Sequence, residues 1–220
     1  MKKHFPKISI LVGCILLCMT LTITAFAAVT SARYNPNNVT ATNEKNASAM
    51  DDYIDSVNAQ NMQLSKATLN DVITTITFSR SMTAADLEEY VKLYDIEIVQ
   101  LQARGYDKYG NRITFFSRTD KGFEETFRML NELAESDGVE FAGAIGLYAL
   151  TKSTSVASIQ ADNRTLLIDT SADQYYNNEK AVSGNERNAA VTTEEVSHVF
   201  ANSIAWDAED LGLVQYKVTD

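Results

Sequence analysis

The chain has 220 residues but only two cysteines, two prolines and two histidines. Cys14 and Cys18 both fall in the N-terminal segment, so a chain processed beyond it has no thiol. Disulfides, thiolate metal sites and cysteine nucleophiles are then excluded together. His198 is the single histidine outside that segment, which rules out a His-rich metal site and would route any Ser-His-Asp arrangement through one ring. It sits between Val196 and Phe200 near the start of an expected helix and reads as structural. Basic residues are also few, 19 against 29 acids, for a formal net charge of −10. Holding nucleic acid through its phosphates requires clustered Lys and Arg, so this balance argues against a nucleic-acid partner. No Gly-x-Ser-x-Gly elbow, His-Glu-x-x-His pair or Gly-x-x-x-x-Gly-Lys phosphate loop occurs, and no cofactor is implied.

The N-terminus carries the layout of an export signal. Met1 to Lys7 holds three lysines and no acid, and Ile8 to Thr24 is apolar and uncharged. Small residues at Ala25 and Ala27 place cleavage after Ala27, which leaves 29 acids against 16 bases. The alternative is a single uncleaved membrane anchor, since Ile8 to Val29 is long enough for a hydrocarbon core of about 30 Å. Leu11-Val12-Gly13-Cys14 matches a lipoprotein site in shape only, because the apolar run continues well past it. The Lys-Lys start and the lack of later cysteines resemble exported proteins of Gram-positive bacteria. In such a protein the sequons at Asn38, Asn46 and Asn163 are accidents of composition.

Residues 28–68 read as a flexible Asn/Thr/Ser/Ala spacer ending in a possible lead-in helix over Asp51–Lys66. Residues 69–171 carry the periodic pattern of an αβ domain. Val72–Ser79 is dense in β-branched residues and reads as a strand. Thr83-Ala84-Ala85-Asp86 predicts a capped helix with Leu87, Tyr90, Val91 and Tyr94 on one stripe. Ile96–Tyr106 is a second strand whose apolar parity switches between Ile98 and Val99, as at a bulge. Asp107–Asn111 has turn chemistry and leads back into a third strand, Arg112–Arg118. Thr119-Asp120 is expected to cap a second helix with Phe123, Phe127, Leu130 and Leu133 or Ala134 inward, ended by Asp137-Gly138. Val139–Leu150 is a fourth strand, and Gly143 and Gly146 in it suggest close approach by another backbone. A short helix, Ser153–Asp162, and a fifth strand, Arg164–Thr170, complete the domain. Residues 172–220 read as a polar loop followed by an acidic helical segment.

This order predicts an α+β fold, a ferredoxin-like split βαβ core of type βαββαβ with an extra C-terminal helix and strand. Phe115 and Phe116 are neighbours in the third strand, so they must point to opposite faces and only one can join the core beneath the helices. The other faces solvent, a partner, or a cover formed by the segment around Phe200 and Trp206. Asp207, Glu209 and Asp210 beside Trp206 could bind a sugar by ring stacking with an acid pair, or weakly hold calcium. The plainer reading makes them a solvated helix face. An RNA-binding sheet of this kind would need a basic chain.

The span from Asp71 to Leu150 resembles, in element order and size, the ferredoxin-like propeptide and inhibitor domains that accompany subtilisin-type proteases. The resemblance implies docking of an open sheet face on an enzyme and a C-terminal tail reaching its active site. The expectation from the residues is an exported, non-enzymatic module that binds a protein partner at the cell surface or outside the cell. The alternatives are a stand-alone protease inhibitor or folding helper and a weak carbohydrate-active enzyme. A membrane is a partner only if the signal is uncleaved.

Overall fold

The structure is a computed structural model and describes residues 43–173, 176, 193 and 199–217. The signal segment with Ala25 and Ala27, residues 28–42, the polar stretch 177–191 and His198 lie outside the described residues. The elements, in chain order, are helix α1 (Asn43–Leu64), strand β1 (Val72–Met82), α2 (Ala84–Tyr94), β2 (Glu97–Asp107) and β3 (Arg112–Ser117). They continue with α3 (Phe123–Ser136), β4 (Val139–Thr151), α4 (Ser153–Ala161), β5 (Thr165–Asp169) and α5 (Ala205–Asp210). Helix α1 begins inside the stretch read as spacer.

The fold is mixed α+β, built on one five-stranded sheet in which every neighbouring pair is antiparallel. The strand order is β3-β2-β4-β1-β5. A ferredoxin-like sheet would put β3 inside, between β1 and β2, so the order differs from the ferredoxin-like expectation. Strand length explains the difference. β3 has 6 residues, whereas β2 has 11 and β4 has 13, and the two long strands pair along their length from Glu97↔Leu150 to Asp107↔Val139. Placing the short strand at the edge leaves the longest ladder in the middle. The parity switch in β2 is a register break between Ile98 and Gln100, which lets Val99 face the opposite side of the sheet from Leu101 and Ala103.

One face of the sheet packs under the helices. Leu87 and Tyr90 of α2, Leu130 of α3, and Val156 and Ile159 of α4 meet Ile76, Phe78, Leu101 and Leu147 in a single core. Phe78 and Tyr90 stack edge to face at 5.3 Å. The caps follow local chemistry. Thr83 Oγ1 accepts from the Asp86 backbone N–H at 3.2 Å, as its spacing predicts. In α3 the expected Thr119-Asp120 cap is displaced: Gly122, at φ +86°, is the cap, and the Thr126 hydroxyl donates back to its carbonyl at 2.7 Å. The α3 stripe buries Ala134 and leaves Leu133 exposed.

The two edges of the sheet are finished differently. On β5, the Ile168 carbonyl accepts from Asn61 Nδ2 of α1 at 2.7 Å, and the Ile168 N–H donates to Gln160 Oε1 of α4 at 3.0 Å. Gln160 Nε2 also reaches the Leu166 carbonyl at 3.4 Å. Side-chain amides thus stand where another strand would pair. On β3 no described residue does so.

Asp162 ends α4 and binds its neighbours tightly. It accepts from Arg164 Nη2 at 2.7 Å, from the Arg164 backbone N–H at 2.8 Å and from Tyr94 Oη at 2.8 Å. Its hydrogen bond with Arg164 holds the carboxyl well below the usual range, against the opposing effect of burial. A carboxyl depressed in the folded state stabilises above its unfolded pKa of about 3.9 and loses that contribution as the pH falls further. Denaturant titrations of the wild type and Asp162→Asn should therefore differ most at neutral pH. The two should converge as the pH drops below about 4.

Candidate functional site

The second face of the sheet is where Trp206, Glu209 and Asp210 meet the strand residues. On β2 the alternation puts Gln102, Arg104 and Tyr106 on this side, opposite Leu101 and Ala103. The register places Phe116 across from Gln102, Thr114 across from Arg104 and Arg112 across from Tyr106. Residues 199–217 lie over much of this face. Phe200 stacks on Tyr148 at 5.0 Å, the Thr75 hydroxyl donates to the Ala201 carbonyl at 2.8 Å, and Tyr216 Oη donates to the Phe78 carbonyl at 2.8 Å. Ala205 and Ala208 of α5 pack with Ile145, Val214 and Tyr216 in a second buried cluster. The small side chains let α5 lie close to the sheet, and its acidic residues then reach the strand cations.

At the centre is Arg104, whose side chain is 1% exposed. Its Nη2 is 3.1 Å from Glu209 Oε2, and its Nη1 donates to Thr114 Oγ1 at 2.5 Å. Its guanidinium carbon is 4.7 Å from the centre of the Trp206 ring. Glu209 also accepts from Tyr106 Oη and lies 3.5 Å from Arg112 Nη1. Arg112 continues outward, pairing with Asp210 and standing 4.3 Å from the Trp206 ring centre. Burial pulls the Arg104 pKa down, and the Glu209 charge opposes the shift; an arginine remains charged. Burial pushes the Tyr106 phenol up, reinforced by its bond to Glu209, and burial also raises Tyr216. Tyr106 is therefore a hydrogen-bond donor at neutral pH.

The structure brings Trp206, Glu209 and Asp210 together on α5, with both acids paired to strand arginines. Glu209 and Asp210 are taken up by Arg112, and Glu209 also by Arg104, so they are not a free acid pair. Among the described residues no group of three or more His, Cys, Asp or Glu is placed to hold a metal ion. Asp207 lies in the first turn of α5. Asp107 holds the β2–β3 turn, accepting from the Tyr109 and Asn111 backbone N–H groups at 2.8 Å each, with Gly110 at φ +83°. A shallow cleft of about 570 Å³ is lined by Asp71, Asp95, Glu97 and Lys152, with Lys152 paired to Asp95 at 2.5 Å.

Phe115 and Phe116 part as adjacent strand residues must. Phe115 turns under the helices, 6.3 Å from Phe141. Phe116 is on the other side and 53% exposed, since the C-terminal cover stops short of it. Trp206 stays 43% exposed at the same side of the sheet. Sequence reading missed Arg104, Arg112 and Tyr106. The signal was available in the parity of Gln102-x-Arg104-x-Tyr106 beside Arg112-x-Thr114-x-Phe116, two polar rows on adjoining strands.

Comparison with protein-family models, with curated proteins and with solved structures gives no match. No helix among the described residues is long and apolar enough to cross a membrane.

Proposed function

We propose that the chain is an exported, non-enzymatic protein-interaction module whose contact surface is the β3 side of the sheet. The observation that carries this reading is Phe116, a large aromatic left exposed on an edge strand whose backbone no described residue covers. Residues 199–217 cover much of the second sheet face and leave Phe116 bare, so the proposed surface is the edge and its rim. An inhibitor of the propeptide kind would need that face open, and its expected strand order is not the one found. A carbohydrate-active enzyme using Asp207, Glu209 or Asp210 is supported less, since Glu209 and Asp210 are paired with arginines.

The test is a pull-down of the secreted and surface proteins of the source organism on the immobilised chain, quantified against Phe116→Ser. A partner retained saturably by the wild type, displaced by free chain and at least roughly tenfold depleted on the variant is the expected result. No saturable partner, or one retained equally by both, overturns the proposal.

A further inference from the structure

We infer that the β3 edge receives an extended acidic peptide as an added antiparallel strand. This rests on the reading of β3 as the contact surface and specifies how that contact is made. A strand edge presents a row of backbone N–H and C=O groups, and an incoming strand satisfies them while its alternate side chains meet the rim. The opposite edge of the same sheet has those groups bonded by Asn61 and Gln160, while β3, from Arg112 to Ser117, has none so bonded by a described residue.

Charge identifies the occupant. From Lys108 to Lys121 there are four basic residues and one acid, in a chain whose net charge is −10. Arg112 is tied to Glu209 and Asp210, but Lys108, Arg118 and Lys121 are exposed and make no ion pair among the described residues. They flank the two ends of the strand, so an acidic peptide lying along it meets a cation at either end. Phe116 and the rim of Trp206 give it an apolar contact on the covered side of the sheet. A second copy of the chain fits less well. Antiparallel pairing of two β3 strands would bring the exposed Lys108 of one copy toward Arg118 and Lys121 of the other, and like charges placed there oppose pairing.

The experiment selects random dodecapeptides displayed on phage against the full chain, then measures the enriched peptides by titration and by amide hydrogen exchange. The expected peptides are rich in Asp and Glu, free of proline over the central residues, and slow exchange in residues 112–117 while leaving the Gln160-capped edge unchanged. Arg118→Glu with Lys121→Glu, both at exposed positions, should weaken binding roughly tenfold, and 1 M salt should do the same by screening. Peptides without an acidic bias, protection elsewhere than β3, unchanged affinity in the double variant, or no enrichment at all would each overturn the inference. If the pull-down finds a partner that depends on Phe116 but leaves β3 exchange unchanged, the strand-addition mode fails and the binding reading stands. If no partner is found although acidic peptides protect β3, the reverse holds.

Discussion

Glu209→Ala should destabilise the fold more than any other single change on the C-terminal segment, by about 3–5 kcal/mol, the usual cost of leaving one member of a buried ion pair alone. The carboxylate of Glu209 faces Arg104, Arg112 and Tyr106 together, and Arg104 has almost no access to water. Removing the acid strands a cation against the rings of Trp206 and Tyr216. Replacing both partners by apolar residues, Arg104→Met with Glu209→Leu, should cost much less, because no uncompensated charge remains. Urea unfolding gives the comparison. The midpoint of Glu209→Ala should fall with little change in slope, and the double variant should recover a large part of the loss. Equal losses in the single and double variants would mean that packing, not charge, holds α5 on the sheet.

Gly143→Ala should be comparably damaging for a different reason. An added Cβ at Gly143 would lie 2.5 Å from the Met82 carbonyl oxygen, and the residue has φ +116°, a backbone setting that side chains rarely tolerate. Overpacking costs about 1–3 kcal/mol and strained dihedrals a further 1–3 kcal/mol. Gly146 has only the first of these problems, a Cβ 2.6 Å from the Ile76 carbonyl, so Gly146→Ala should cost about 1–3 kcal/mol. In both cases the obstacle is backbone of β1, which cannot rotate away. Gly110 is the control, with positive φ but open space around it, and Gly110→Ala should lose only the dihedral part. Thermal melts of the three variants should rank Gly143 worst. An order with Gly110 worst would remove the close-approach account.

The sequence carried the local devices well and the assembly poorly. The break at Val99 was visible because apolar parity changes there, and the glycines of β4 were visible because a strand seldom carries two without a reason. The strand order was not, since the pattern of β2 and β3 announces a hairpin without saying which strand sits at the edge. That depended on relative length, 11 residues against 6, and on the partner β4 being long enough to use it. The cap of α3 slipped because Thr119 and Asp120 have cap chemistry but lie before the turn that ends at Gly122. At the site, Trp206, Glu209 and Asp210 stood out as a cluster. Arg104 did not, because a lone cation in mid-strand reads as solvent-facing until its distant acid is known.

The cover over the second face has a consequence for the order in which the chain is made. The five strands of the sheet are complete by Asp169, whereas the described residues that roof Arg104, Tyr106 and Tyr148 lie between Phe200 and Tyr216. A growing chain that stops short of them has its hydrogen-bonded sheet but a bare flank bearing an unpaired arginine and several rings. Such an intermediate is prone to association and is a ready substrate for proteases. Truncation before Phe200 should therefore yield a chain that associates more readily than the full one, through the surface it fails to hide.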